Sequence, residues 1–464
     1  MATLSQLLYT ARDALTAQSY GLGVAGQNVA NANTDGYVRR EAILQNVVLG
    51  TQTYGGVEAA GLRRVTDQYL DRRVLAAASL ASAASEQDGQ LARVEPLLND
   101  FSGTGLGTAL DQLFGAFDGV ASNPSDPTAR VNVLQRAEQL SAHLREIADG
   151  IASAREEQLS RGRAVVEQIN QKATEIAELN RQISLAEAAG KDAADLRDRL
   201  NQMLLGLSTQ VDVRTFTDGE GNTVVQAAGT TLVEGEHARS LSIDLAGDGS
   251  IRLFAQNGAT PGTEVTKYLS GGALAGLVEA RDVDLKATAD RLDQFAFDLA
   301  TAVNAQHAAG FGLDGVSGRP LFQVSGTVAG AARSIAVDPS IAGQPDRVAA
   351  SDSAAEIPGG SGNMTLLSAL ASSKAASSGT RTFSEAYSDI IGDFATRRAS
   401  AASEGQLRQD VLTQVQTLQQ SESGVSLDEE MVSLTRYQRA YEAAAKVLST
   451  VDELLRELLA KIGS

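Results

Sequence analysis

A chain of 464 residues is too long for one ordinary hydrophobic core, and its length predicts two or three domains. Its 57 acidic residues outnumber its 39 basic ones, and the resulting formal charge of -18 argues against nucleic acid and anionic membrane surfaces as partners. The chain has no cysteine, which excludes disulfides and thiolate metal sites, and its three histidines, His143, His237 and His307, lie too far apart for a zinc motif.

The N-terminal segment predicts a helix with a coiled-coil seam, because its apolar residues recur at spacings of three and four. Residues 1–34 contain only Arg12 and Asp13 as charged side chains, so the outer face consists of Gln, Ser, Thr and Asn. A helix on a soluble domain normally presents charges to water, and we therefore expect this helix to be buried in an assembly. The seam residues of this segment are Leu4, Leu8, Leu15, Leu22 and Val29.

The stretch GLGVAG, residues 21–26, matches the dinucleotide fingerprint G-x-G-x-x-G. That fingerprint needs a strand before it and a helix after it, whereas here a heptad helix precedes and Asn-Ala-Asn-Thr-Asp-Gly follows. We interpret the stretch as flexible or closely packed helix. The sequence predicts no catalytic residue, no cofactor and no metal site, and it shows neither a secretory signal nor a membrane-spanning run.

The stretch NVANANTDGYVRRE, residues 28–41, predicts an elaborate turn after the first helix. Asn31, Asn33 and Asp35 can cap a helix or tolerate left-handed backbone, and Gly36 adopts that backbone freely. Tyr37 then begins an extended segment. A simple surface turn would use the same residue types.

The middle of the chain alternates between helical and strand patterns. Pro124 and Pro127 mark a break between helices, and helical spacing then continues to about residue 206. From about residue 207 apolar and polar residues alternate between glycine-rich turns, which is typical of antiparallel hairpins. Residues 273–309 return to helix, residues 310–363 carry only short apolar runs, and residues 364–424 are again helical.

One loop in the strand region, DGEGN at residues 218–222, offers Asp218 and Glu220 as calcium ligands. A calcium-binding EF-hand loop needs glycine at its sixth position, where this chain has Thr223. We therefore predict a hairpin turn.

The C-terminal segment predicts a second long helix with the same heptad rhythm. Carboxylates at residues 428–430 favour the positive end of the helix dipole in its first turn. We expect the two terminal helices to be mobile in the free chain and to become ordered against neighbouring copies; a hairpin of both ends within one chain is the alternative. The seam residues of the second helix are Leu427, Met431, Leu434, Tyr441, Leu448, Val451, Leu455 and Leu458.

Two long motifs carry a resemblance to a known family. NVANANTDGYVRRE resembles the N-terminal signature of bacterial flagellar axial proteins, the family of rod, hook and hook-associated subunits. SGVSLDEEMVSLTRYQRAYEAAAKVLSTVDELLRELL, residues 423–459, is similar to the C-terminal end of its hook-associated members. The resemblance runs from residue 1 to 464 and thins between about 323 and 405. It departs from the family in AADLRDRL and in GFGLDG, and we expect neither departure to touch the chain ends.

The resemblance implies a mainly α fold with a β-rich insert and discontinuous domains. We expect a terminal coiled-coil assembly domain at residues 1–45 and 425–464. A helical shaft would cover residues 46–206 and 364–424, and a β-rich or mixed outer domain residues 207–363. The family turn motif corresponds to Asn31, Asn33, Thr34, Gly36 and Tyr37, which would form a hinge between layers.

The function implied by the resemblance is structural rather than enzymatic. The chain would leave the cytoplasm unfolded through the flagellar type III export apparatus and assemble outside as a ring of identical subunits at the hook-filament junction. The hook protein, hook-associated protein 3 and an export chaperone would be partners, with Leu448, Val451, Leu455 and Leu458 as the chaperone contact. Another axial protein, such as hook-associated protein 3 or a rod or hook subunit, is the alternative, and a coiled-coil surface adhesin is a more distant one.

Overall fold

The computed structural model describes residues 2–47, 55–98, 105–256, 258 and 262–462. Within them the chain is mainly α-helical, carries a β-rich segment in its middle and has a long helix at each end. This architecture confirms the predicted fold class. Parts of the predicted shaft, residues 48–54 and 99–104, lie outside the described residues.

The N-terminal part is a helix followed by a β-hairpin and a second helix. α1 (Ala2–Ala30) leads through the turn to β1 (Arg40–Asn46), which pairs antiparallel with β2 (Val57–Arg64). The hairpin packs against α1 and leads into α2 (Gln68–Leu98). The extended segment after the turn is therefore confirmed, but the sequence did not predict its partner strand.

Two helices of very different length follow. α3 (Leu106–Ser122) ends just before Pro124, and α4 (Pro127–Ala188) begins at Pro127, so the break between helices is confirmed. Asp126 caps α4 by accepting a hydrogen bond from the Thr128 N–H at 2.8 Å, and a proline in the first turn loses no helical hydrogen bond. At 1.5 Å rise per residue, α4 is about 90 Å long.

The strand region forms two small antiparallel sheets after α5 (Ala194–Ser208). One sheet has the order β3-β4-β5-β6 and the other β7-β8-β9. Their strands are β3 (Val213–Thr217), β4 (Thr223–Ala227), β5 (Thr230–Glu234), β6 (His237–Ala238), β7 (Leu241–Leu245), β8 (Ile251–Ala255) and β9 (Thr263–Glu264). DGEGN is the turn between β3 and β4, as predicted. Its Asp218 carboxylate accepts the N–H groups of Glu220 and Asn222, each at 2.9 Å.

Helices dominate again after the sheets. α6 (Gly272–Glu279) continues through a π-helical turn at Ala280–Asp284 into α7 (Leu285–Ala309). A small two-stranded sheet pairs β10 (Phe322–Gln323) with β11 (Ala336–Val337) on either side of α8 (Ala331–Ser334). The chain ends with α9 (Gly362–Ala369), α10 (Phe383–Ser423) and α11 (Leu427–Ile462).

Two main hydrophobic cores lie along α4. The first joins the N-terminal half of α4 to α3, α7, α9, the start of α10 and the short elements of residues 321–350. The second joins the C-terminal half of α4 to α5 and both larger sheets. The three predicted domain ranges stay a prediction. The predicted outer domain, residues 207–363, includes α7 and residues 321–350, and these pack in the first core with α3 and the N-terminal half of α4.

Candidate functional site

The two ends of the chain pack along each other, and we call α1 and α11 together the terminal hairpin. They run antiparallel, because Gly21 lies against Tyr437 while Arg39, beyond the C-terminal end of α1, reaches Glu430 near the start of α11. The two terminal helices predicted from the sequence thus pack together within one chain. This is the hairpin that the sequence analysis kept as its alternative.

Small residues form the closest approach within the terminal hairpin. Gly21 is the clearest example, since a Cβ atom added there would lie 2.7 Å from the ring of Tyr437. Ala11, Ala17 and Ala25 of α1 are also buried. Close helix approach needs small side chains, because interaxial distance follows the size of the residues at the contact.

The predicted seam residues lie mostly beside this contact rather than within it. On α11 the buried line runs through Glu430, Ala444 and Val451, and Val451 is the one seam residue that it includes. The remaining seam residues are partly covered or exposed, so their role in assembly stays a prediction. Half-buried are Leu4, Leu8, Leu15, Leu22, Val29, Leu434, Leu448 and Leu455, whereas Leu427, Met431, Tyr441 and Leu458 are exposed.

The family turn motif closes the end of α1 and touches α5. Asn31 donates from Nδ2 to the Gln27 carbonyl, and its own carbonyl accepts the Thr34 N–H at 2.9 Å. Within residues 28–41, all of them described, Gly36 alone has positive φ, at 77°. Asn33 and Thr34 are exposed.

The turn is attached to α5 by Gln202. Its side-chain amide donates to the Asp35 carbonyl at 2.5 Å, and it also fills the space beside Gly36. A Cβ atom added to Gly36 would lie 2.2 Å from the Gln202 amide nitrogen. The backbone angle at position 36 therefore favours glycine, and a larger residue would also displace the Gln202 side chain.

Asn28 is the buried centre of the connection between α1 and β1. Its Oδ1 accepts the Tyr37 hydroxyl at 2.9 Å and the Arg40 N–H at 3.1 Å, and its Nδ2 donates to the Arg40 carbonyl at 2.8 Å. A buried amide with all these partners fixes the direction in which the chain leaves the turn. The ring of Tyr37 also lies under the Arg40 guanidinium, 4.7 Å from centroid to carbon.

The register of the β-hairpin brings two arginines together. Arg40 pairs with Arg64 across the ladder, so both guanidinium groups reach the same carboxylate. Asp198 of α5 accepts from Arg40 Nη2 at 2.9 Å on one oxygen and from Arg64 Nε at 2.9 Å on the other. Asp195 accepts a second bond from Arg40 at 2.5 Å, although its own side chain is 81% exposed.

The pKa of Arg40 lies above its usual value. Burial alone would lower that pKa, but the hydrogen bonds to Asp195 and Asp198 outweigh it. Arg40 therefore stays charged, and the pair with Asp198 is a buried ion pair that needs both members.

A second arginine ties the same strand to α11. The guanidinium of Arg39 lies 2.8 Å from a carboxylate oxygen of Glu430 and 2.9 Å from one of Glu429. The backbone N–H of Arg39 donates to the carbonyl of Ser423. Burial lowers the pKa of Arg39, but the nearby carboxylates raise it by more than burial lowers it, so the pKa lies above its usual value. We call Asn28, Tyr37, Arg39, Arg40, Arg64, Asp195, Asp198 and Glu430 the junction cluster.

Most of the junction cluster was missed by sequence reasoning. Tyr37 belongs to the predicted turn motif, and Glu430 was expected to interact with the helix dipole, but Arg39, Arg40, Asp195 and Asp198 received no role. The expectation that the departure AADLRDRL would not touch the chain ends is wrong, because Asp195 and Asp198 contact Arg40. The available signal was the pair of adjacent arginines directly after a segment almost without charge.

The catalytic alternatives receive no support from the fold. Residues 21–26, the GLGVAG stretch, lie in the interior of α1, which is helical on both sides of them. Among the described residues, His, Asp and Glu side chains form no group of three that could hold a metal ion. In the same part of the chain, no helix combines the length and apolar character needed to cross a bilayer.

Comparisons with known proteins agree with the motif resemblance. The model of the flagellar hook-associated protein FlgK helical domain matches residues 91–322. The C-terminal model of the flagellar basal body rod FlgEFG proteins matches residues 419–461, and the flagella basal body rod protein model matches residues 8–37. The last two ranges contain most of α11 and α1.

Relatives and a solved structure extend the similarity to the whole chain. Flagellar hook-associated protein 1 of Escherichia coli K12 is 27% identical over 98% of this chain and 100% of its own length. The protein of the same name from Bacillus subtilis 168 is 26% identical over 98% of both chains. The flagellar hook junction protein FlgK of Burkholderia pseudomallei shares the fold, with a TM-score of 0.68 at 17% identity over 75% of this chain and 100% of that one.

Proposed function

The chain belongs to the family of flagellar hook-associated protein FlgK, and from that premise we propose how it assembles at the hook-filament junction. It is a structural subunit of the bacterial flagellum. We propose that identical subunits form a ring through the outer faces of the terminal hairpin. The observation that carries this proposal is that the hairpin leaves most of its largest apolar side chains only partly covered.

The apolar side chains whose burial would stabilise such an assembly lie on the outer faces of the terminal hairpin. Leu427 and Met431 are more than half exposed, at 52% and 58%, although each is a large apolar side chain. Fully burying one such side chain contributes about 1.5–3 kcal/mol. Several of them along one helix therefore provide a favourable contact for a neighbouring subunit.

The junction cluster supports this proposal by fixing where the hairpin points. A buried ion pair and a buried amide leave the chain few alternative directions between α1 and β1. We therefore propose that the turn sets a defined angle between the terminal hairpin and the shaft, so that neighbouring subunits present matching faces. The turn that the sequence predicts as a hinge would then hold one fixed angle.

The binding partners of the protein and its export pathway belong to the same proposal. The subunits would leave the cytoplasm through the flagellar type III export apparatus and contact the hook protein and hook-associated protein 3 outside. A chain without cysteine is suited to passage as an unfolded polymer, because it cannot form a disulfide loop. Before export, a chaperone would cover α11 at Leu448, Val451, Leu455 and Leu458.

The same chaperone assignment predicts how a truncation behaves. Deleting residues 440–464 removes all four proposed contact residues and should abolish chaperone binding in a pull-down of the soluble protein. Binding at an unchanged level would contradict the assignment. We further propose that the chain has no catalytic activity, because its family is structural and the dinucleotide-like stretch lies within a continuous terminal helix.

A charge placed on the exposed flank tests ring assembly directly. Met431→Glu, produced in a strain lacking its own copy, should allow hooks to form but prevent filaments, because a buried carboxylate has no partner there. Ala443→Glu is the matched control, since Ala443 is exposed on the same helix about 120° away from Met431. Imaging of isolated hooks would measure the outcome. Normal filaments with Met431→Glu would contradict the proposal.

A further inference from the structure

The C-terminal half of α10 carries an exposed apolar line, which we call the α10 stripe and define as Leu407, Val411 and Leu418. These side chains are 55%, 38% and 44% exposed, while Val415, between them in sequence, is 3% exposed and faces the shaft. Spacings of four and seven residues place the three members on one side of the helix. The stripe therefore lies beside the face that packs on α2.

The polar surroundings of the stripe are also unusual in its C-terminal part, because the stretch from Val411 to Ser421 contains no charged residue, whereas Arg408 and Asp410 follow Leu407. Its exposed polar side chains are Gln, Thr and Ser, although 21% of the whole chain is charged. A surface helix normally shows water a charged face. The same combination of exposed apolar and uncharged polar residues characterises residues 1–34.

We infer that the α10 stripe is a contact surface for a second copy of this chain. The inference rests on the proposed function and extends the subunit contact from the terminal hairpin into the shaft. Each copy carries a net charge of -18, so a contact that brought the acidic side chains of identical subunits together would add repulsion. Residues 411–421 carry no charge and add none at the contact.

The position of the stripe points to the same occupant. Residues 424–426 separate α10 from α11, whose first exposed apolar side chains are Leu427 and Met431. A sister subunit seated on those two residues would lie next to the C-terminal end of the stripe at Leu418. The two exposed surfaces therefore follow each other directly along the chain.

The absence of cysteine makes a thiol-labelling test clean, because each single-cysteine variant has one reactive thiol. We would place Val411→Cys, Leu418→Cys and the control Thr413→Cys separately in the full chain. Thr413 is exposed and lies about 200° around the helix axis from Val411. Maleimide labelling would be compared between the purified monomer and isolated hooks that contain the assembled protein.

The inference predicts that both stripe thiols react in the monomer and become at least tenfold less reactive in the assembled structure, while the control reacts in both. A short bismaleimide should join stripe thiols into a product of two copies of the 48.3 kDa chain. Stripe thiols that stay fully reactive after assembly would overturn the inference. So would a cross-linked product that contains a different flagellar protein.

A second set of variants separates this inference from the proposed function. Leu418→Glu should reduce incorporation into isolated hooks at least tenfold, with a melting temperature equal to that of Thr413→Glu. Incorporation of Leu418→Glu at the level of the control would overturn the α10 contact while leaving the ring proposal intact. Failure of the unsubstituted chain to enter the hook fraction would instead overturn the ring proposal, and the α10 contact with it.

Discussion

The buried ion pair between Arg40 and Asp198 attaches β1, the strand that follows α1, to α5. Replacing Asp198 with asparagine keeps the shape of the side chain but removes its charge. The guanidinium groups of Arg40 and Arg64 then lose their shared buried anion, and only the exposed Asp195 remains, bonded to Arg40 alone. The side chains of Arg40, Arg64 and Asp198 are at most 14% exposed. We therefore expect the turn and the β-hairpin to detach from α5 much more often.

The expected loss of free energy in Asp198→Asn follows from the burial of the ion pair. Breaking a buried ion pair by removing one partner costs about 3–5 kcal/mol, because the remaining charge is left uncompensated. Asp195 provides the matched control, since it accepts from the same nitrogen of Arg40 but is 81% exposed. An exposed pair contributes about 0–1 kcal/mol, so Asp195→Asn should have little effect.

Hydrogen exchange of the full chain measures this difference at the site itself. Local opening governs exchange of the amides at residues 37–47, and a loss of about 3 kcal/mol accelerates it about a hundredfold. Asp198→Asn should show that acceleration, Asp195→Asn less than tenfold, and amides in the centre of α4 no change. Equal effects of the two substitutions, or none from Asp198→Asn, would refute the argument that burial makes this carboxylate the decisive one.

Three further outcomes are expected. Gly36→Val forces a branched side chain into left-handed backbone, which costs at least about 1–2 kcal/mol, and it should accelerate exchange in the turn without lowering the melting temperature of the shaft. Gly21→Ala should weaken the contact with Tyr437 and increase exchange in α11, whereas Gly23→Ala, where an added Cβ meets nothing within 4 Å, should stabilise α1 by about 0.5–1 kcal/mol. Burial lowers the pKa of His307 to about 4. Between pH 6.5 and 4 the imidazole is therefore protonated in the unfolded chain but not in the folded one, and the free energy of unfolding decreases as the pH is lowered. By linkage this removes about 3 kcal/mol, and urea titrations should show a flatter pH profile for His307→Gln.

Local pattern was enough to predict most of the elements. Heptads, alternation and proline placement predicted the terminal helices, the strand region and the break before α4, because each of these signals lies within a short window. The DGEGN loop was also predicted correctly, since turn chemistry is local. The fold class followed from these elements together with the family resemblance.

The junction cluster could not be predicted in the same way, because its members are far apart in sequence. Arg40 and Asp198 are separated by 158 residues, and Arg39 and Glu430 by 391. Their encounter depends on how α5 and α11 pack against the β-hairpin, which no local pattern specifies. The partner strand β2 was missed for a related reason, since its pairing is visible only once the register with β1 is known.

The terminal hairpin shows that the intrachain contact of α11 and the seam predicted for self-assembly are different lines of residues. The line that packs against α1 runs through Glu430, Tyr437, Ala444 and Val451, which together are less apolar than the neighbouring line of leucines. Within one chain, the two helices can approach closely where the residues between them are small, as at Gly21. The covalent chain already keeps α1 and α11 together. A contact between separate subunits lacks that advantage and needs larger apolar side chains, because association must also offset the lost freedom of the subunits. One helix can therefore carry two interfaces, with side-chain size specifying the partner within the chain and apolar area specifying the proposed neighbour.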